Sequence, residues 1–181
     1  MNELECAEAT LGVLQQVLQD IDVDDLAKQT PCREFDVAGL TDHLMNSITL
    51  IGTAAGGEIP ERDRDAPVAE QVAAAAAPAV AAWQRRGLDG TVPFGPGEAP
   101  AAMMARILSL EFLVHAWDYA AATGQTVDVP DQQPEIVLGW VRSIITPAGR
   151  ERAGFDDPIE LPDDAPALDR LLAFTGRRPT G

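Results

Sequence analysis

Cysteine, lysine and histidine are nearly missing from this chain: two Cys, two His and a single lysine, Lys28, among 181 residues. The two cysteines, Cys6 and Cys32, make no disulfide framework in a chain of this size. No Cys-x-x-Cys spacing occurs, which removes zinc-finger and thioredoxin-like readings. Nor does any run approach the ~20 apolar residues needed to span a bilayer. The first residues, Met-Asn-Glu-Leu-Glu-Cys-Ala-Glu, are acidic where a secretory signal is basic and then apolar, so a cytoplasmic protein is expected.

Positive charge is short as well. Thirteen Lys and Arg face 29 Asp and Glu, for a formal charge of -16. Nucleic-acid binders need basic side chains to displace condensed counterions, and here the field repels a phosphate backbone. Anionic membrane surfaces are disfavoured for the same reason. The acidity otherwise serves solubility. At 46% hydrophobic and 23% charged residues, the chain has the composition of a globular protein. It is expected to form one domain over 1–181 with a core that needs no staples.

What is present is helical periodicity. Leu4 to about Leu18 carries Leu4, Leu11, Val13-Leu14 and Val17-Leu18 at helical spacing, with acids in the first turn. Asp20–Asp25 reads as a polar connection with at most a short helical turn, lacking the glycine and terminal glutamate of a calcium loop. A second helix opens at the N-cap Asp36 and runs to Ile51 before Gly56-Gly57. Its inner face is marked by Val37, Leu40, Leu44, Ser47 and Ile51, with His43 along the edge. An alanine-rich helix spans Ala66 to about Arg86, where Pro78 is expected to kink or divide it. Leu88–Gly97 is turn-rich with one short extended piece, and its glycines do not match a phosphate-binding loop. The longest helix covers Pro100 to Ala122 and ends at Thr123-Gly124. Another follows from Pro134 to about Thr146, then a short strand within 156–165, a last helix from Pro166 to Phe174, and a frayed end from Arg177. Arg85-Arg86 and Arg177-Arg178 read as solvated ends of elements. The sum is an all-α fold: a helical bundle with a small C-terminal appendage.

Chemistry concentrates on the longest helix. Glu111 and His115 are four residues apart, so both project from one side, and Asp118 falls on the same stripe. A carboxylate in so apolar a run is costly to bury without positive compensation. A divalent metal held by Glu111, His115 and the only other imidazole, His43, supplies it. Two His and one carboxylate suit zinc or another first-row ion and leave coordination positions open. The plainer alternative pairs Glu111 with Arg106 or Arg142, and no His-Glu-x-x-His motif is present. Cys32 precedes a helix N-terminus, where thiolates are favoured, but packing beneath that helix is the simpler reading. Trp83, Trp117 and Trp140 read as core or pocket-wall residues.

Two segments carry a family resemblance. Thr30-Pro-Cys-Arg-Glu-Phe-Asp-Val-Ala-Gly-Leu-Thr-Asp-His43-Leu resembles the Thr-Pro-Cys…Trp-Asp-Val…Leu…His-Leu signature of the DinB-like helical-bundle superfamily, in its mycothiol-dependent maleylpyruvate isomerase-like, metal-binding branch. Glu111-Phe-Leu-Val-His115-Ala-Trp-Asp118 is similar to that branch's second motif, Glu-x-x-x-His followed by Trp-Asp. Leu161–Gly176 is also similar to the C-terminal segment of the branch's short members. The resemblance implies a DinB-like four-helix bundle with zinc, or another divalent ion, on His43, Glu111 and His115. It further implies a low-molecular-weight thiol such as mycothiol as cosubstrate, a small electrophile as the second substrate, and possible homodimers. Phe35 stands where the family usually has Trp. The isomerase so resembled has a further C-terminal domain with no counterpart in these residues. The expected activity is therefore general: thiol transfer or thiol-dependent isomerisation, with Asp118 orienting His115, acting as a base, or standing only as a surface acid near the helix C-terminus. A metal-containing binding or regulatory module without turnover is the alternative.

Overall fold

The computed structural model describes residues 1–152 and 155–179. They are mostly helical, with one small two-stranded sheet. The elements in order are α1 (Glu3–Leu18), a single 3-10 turn (Val23–Asp25), α2 (Val37–Ala54), α3 (Val68–Arg86), β1 (Thr91–Phe94), β2 (Gly97–Pro100), α4 (Ala101–Thr123), α5 (Gln132–Ile144), α6 (Pro147–Arg152) and α7 (Ala167–Phe174). Two compact units divide the chain, Met1–Val127 and Asp128–Gly181. Among the described residues, no helix is long and apolar enough to cross a membrane.

In the first unit the helix ends are set by local chemistry. The Asn2 side chain accepts from the backbone N–H groups of Leu4 and Glu5, while Glu5 Oε2 accepts from Asn2 N, a reciprocal cap on α1. Asp36 caps α2 by accepting from Gly39 N at 2.7 Å. Gly124 ends α4 at φ 74°, a left-handed conformation that glycine enters without a Cβ clash. Helix α1 packs on α4 and α3, and α2 packs on α3 and α4. Between them lies one core of Leu14, Leu18, Leu40, Leu44, Ile48, Val72, Trp83, Met104, Leu108, Phe112 and Tyr119. Each such apolar side chain contributes roughly 1.5–3 kcal/mol on burial. The α2–α3 seam is close because it is built from small residues, with Gly52 of α2 facing Ala79 of α3. One hydrogen bond ties the same seam, from the buried Trp83 indole N–H to Ile51 O at 3.1 Å.

Several elements differ from the sequence expectation. Helix α3 is not divided at Pro78. Proline withdraws one hydrogen bond from the carbonyl of Ala74, but Ala74 is exposed and water can satisfy it. The residues around the proline, Ala75, Ala76, Ala79 and Val80, are held by burial. The extended piece after α3 is a hairpin of two strands, Thr91 pairing with Pro100 and Phe94 with Gly97. Arg86 is no solvated end: its guanidinium donates to the carbonyls of Gly87, Asp89 and Thr91 and clamps the hairpin entry.

In the second unit α5 packs on α7, burying Val137, Leu138, Val141, Leu171 and Leu172. No strand forms within 156–165. Pro158 and Pro162 remove ladder donors there, and Ile159 N donates to Ala173 O at 2.9 Å. Helix α6 falls in a stretch where no element was expected. Arg177 is buried and stands over the Phe155 ring instead of fraying into solvent. Residues 180 and 181 of the expected frayed end lie outside the described residues.

Candidate metal centre

His43 lies two turns into α2, one position before the buried Leu44, so its ring projects from the edge of the apolar face. On α4, Glu111 and His115 are one turn apart and share a side. Where the two helices pack, the three side chains meet. One ligand atom from each of His43, Glu111 and His115 lies within 4.8 Å of the others. Glu111 Oε2 is 3.2 Å from His43 Nε2 and 3.6 Å from His115 Nε2. The two imidazoles stand edge to face at 84°, with centroids 5.2 Å apart. Phe35 stacks on His43 at 5.2 Å and 27°, so the aromatic of the Thr30–Phe35 turn walls the site.

Burial is uneven. The side chains of Glu111 and His115 keep 14% and 7% of their exposure, whereas His43 keeps 36%. Access from solvent is therefore on the His43 side. Glu111 Oε2 is itself buried, and despite its two close nitrogens it has no hydrogen bond of acceptable geometry. A buried carboxylate oxygen left this way costs a few kcal/mol unless something cationic meets it. Three lone-pair donors converging on one point, one of them an orphaned buried oxygen, is what a divalent ion requires.

The titration behaviour expresses the same demand for positive charge. Burial pushes the Glu111 carboxyl up, but His115 and His43 more than offset this and hold it well below the ordinary carboxylate range. Burial pushes His115 down, while the Asp118 and Glu111 carboxylates outweigh it and raise the imidazole to about 9. Asp118 is fully buried, with Oδ2 2.9 Å from His115 Nδ1. In the absence of a cation, a proton on His115 is the charge that compensates the two acids.

Other expected participants are elsewhere. Arg106 pairs with Glu3 at 2.8 Å, tying α4 to α1, and the positive groups acting on Glu111 are the two imidazoles. Cys32 is half-buried in the turn before α2, where its carbonyl accepts from Phe35 N and the Thr30 hydroxyl. It is not among the three residues whose ligand atoms converge. Cys6 is buried, and burial raises its thiol pKa. Trp83 is core, and Trp117 and Trp140 are half-buried.

Some residues that shape the centre escaped sequence reasoning. The buried Tyr119 hydroxyl and Thr41 Oγ1 lie 3.0 Å apart, and Thr41 donates on to Val37 O at 2.8 Å. This cross-helix link sits one turn from His115 and two residues from His43, so it fixes α2 against α4 where the ligands must meet. Burial drives the Tyr119 phenol well above its ordinary pKa, so it stays a neutral donor. Asp42, beside His43, is engaged by Arg62 and Arg64 from the segment before α3. Only the 3.6-residue stripe that Tyr119 shares with His115 could have hinted at the first link, and sequence spacing carries no signal for the second.

No family model and no solved structure matches the chain. Two proteins of Mycobacterium tuberculosis are similar to it along their whole length. They are uncharacterized protein MT0763 of strain CDC 1551 / Oshkosh and uncharacterized protein Rv0738 of strain ATCC 25618 / H37Rv. Each is 30% identical over 180 residues, covering 98% of this chain and 98% of the relative.

Proposed function

This chain belongs to the same family as those two mycobacterial proteins, and we propose that it is a zinc-type metalloprotein of the DinB-like bundle kind. In this reading His43, Glu111 and His115 hold a divalent cation for thiol chemistry on a small electrophile, as a mycothiol-type transferase or thiol-dependent isomerase. The pairing of α1, α2, α3 and α4 around one core supports the bundle assignment. The observation that carries the metal reading is the convergence of three donors from two helices on a buried carboxylate oxygen with no hydrogen bond of its own.

The residues fit the ion chemically. Imidazole nitrogen and carboxylate oxygen are ordinary zinc donors, and three protein ligands leave room for an exogenous one. Such a cation acts as a Lewis acid, lowering the pKa of a thiol or water that reaches it. The chain's own residues do the rest. Glu111 and His115 form the buried floor, His43 borders the open side, and Phe35 covers one face of the His43 ring. The half-exposure of His43 favours a centre that admits a small molecule over one sealed for structure alone. The burial of Glu111 and His115 on the α4 side strengthens any charge interaction made there.

Metal analysis of the purified protein tests the first half: about one zinc per chain is expected in the native protein and none in His43→Ala. Thermal melting tests the second. A mycothiol analogue should raise the melting temperature of the zinc-loaded protein and leave His43→Ala unaffected. Equal metal content in both proteins would overturn the site, and a native protein indifferent to thiols would overturn the proposed cosubstrate.

A further inference from the structure

We infer that Asp118 is the positioning residue of this centre: its carboxylate accepts the Nδ1 proton of His115 and so presents Nε2, and only Nε2, to the cation. The inference rests on the metal reading above and adds to it a means by which one helix sets the chemical form of a ligand.

The geometry assigns the two nitrogens of His115 to different partners. Nδ1 is 2.9 Å from Asp118 Oδ2, and Nε2 faces Glu111 Oε2 at 3.6 Å. A carboxylate accepts when ionised, and the hydrogen of this contact then belongs to Nδ1. A neutral imidazole protonated there has its lone pair on Nε2, directed at the point where Glu111 and His43 converge. Asp118 has no exposed surface, so water cannot compete for the contact. The three-residue spacing on α4 builds the dyad into a single helix. His115 and Asp118 thus meet within α4 itself, whereas Glu111 also lies 3.2 Å from His43 of α2. The second imidazole is held differently, by Phe35 stacking on a half-exposed ring. His115 is accordingly the fixed ligand of the pair and His43 the one able to give way to an incoming molecule. The added carboxylate charge also makes His115 a stronger donor, an effect that outer-shell acids typically express as about 10–100-fold in metal affinity.

The test uses zinc itself. With only two histidines in the chain, a long-range proton–nitrogen spectrum of the histidine-labelled, zinc-loaded protein resolves both rings. His115 should show zinc on Nε2 and a slowly exchanging proton on Nδ1. Zinc affinity, by competition with a chromophoric chelator, should fall about 10–100-fold in Asp118→Asn. That variant keeps the Nδ1–H contact, because the amide oxygen still accepts. Asp118→Ala should lose at least as much affinity and also lose the protected Nδ1 proton. Zinc on Nδ1 in the native protein overturns the inference without recourse to any variant. So do Asp118→Asn and Asp118→Ala proteins that bind zinc as tightly as the native one. If His43→Ala abolishes binding while both Asp118 variants keep it, Asp118 is merely structural and the metal site stands. A native protein that binds no zinc removes both.

Discussion

Replacing Glu111 by glutamine separates the metal reading from simple packing, because the variant keeps the side-chain shape and removes the charge. In the metal-free protein two effects oppose. The variant loses the attraction between the carboxylate and the imidazoles of His43 and His115, and it escapes the cost of burying an anion that is only 14% exposed. His115 stays compensated by Asp118, so no uncompensated charge is stranded, and the net loss is about 1–2 kcal/mol. In the metal-loaded protein the loss is different in kind. A ligand that binds only the folded state adds RT ln(1 + [L]/Kd), about 2.7 kcal/mol at a hundredfold excess over Kd. For a chain of this length that corresponds to a melting shift of about 5–11 °C. The assay is differential scanning fluorimetry with and without zinc on both proteins. The native protein should show the shift and Glu111→Gln should show none, whatever its metal-free baseline. A variant that keeps the full zinc-dependent shift would refute the role assigned to the carboxylate.

Two further outcomes follow from other parts of the first unit. The Arg106 guanidinium beside Glu3, outweighing burial, lowers that carboxyl below its ordinary 4.5, so the contribution of the pair is present above that value and lost as pH falls through the depressed folded value. Glu3→Gln should cost up to about 1 kcal/mol at pH 7 and progressively less as the pH is taken below the ordinary carboxylate range, read from urea unfolding across a pH series; a cost that does not change with pH would remove the ion pair as the cause. Gly52→Ala should destabilise by about 1–2 kcal/mol even though alanine is the better helix former by about 1 kcal/mol. Its Cβ would fall 2.7 Å from Ala79 Cβ and 2.9 Å from Ile59 Cδ1, and a raised melting temperature would show that the α2–α3 seam has slack.

The long helices were legible because their signals are local. Asp36 announces the start of α2, Gly124 the end of α4, and the 3.6-residue spacing of apolar side chains fills in what lies between. The grouping of His43 with Glu111 and His115 was legible for a different reason. Only two imidazoles exist, and one stands a helical turn from an acid in an apolar run, so few combinations were available. What sequence could not supply were contacts between elements. Tyr119 meets Thr41 across 78 residues, and Asp42 meets Arg62 across 20. The stripe Tyr119 shares with His115 marks a face of α4 but not its partner, and no spacing marks the second pairing. The helix is not divided at Pro78 because Ala74, whose carbonyl loses its donor, faces water. The strand expected in the tail failed because alternation of apolar residues says nothing about whether a partner strand exists.

Two buried or nearly buried acids, one at each nitrogen of His115, are a standing cost to this fold. The core of the first unit is otherwise built from aliphatic, Met and aromatic side chains, and apolar residues at 111 and 118 would extend it without desolvating charge. On the metal reading proposed above, a divalent ion would offset the charge of these two acids. The chain's charge of -16 raises the local concentration of cations in general and favours loading without choosing among them. Choice among them falls to the donors, and nitrogen-rich sets of two imidazoles and one carboxylate prefer first-row ions such as zinc over calcium or magnesium. On the reading proposed above, the anionic field of the chain would favour the approach of a neutral thiol over a thiolate.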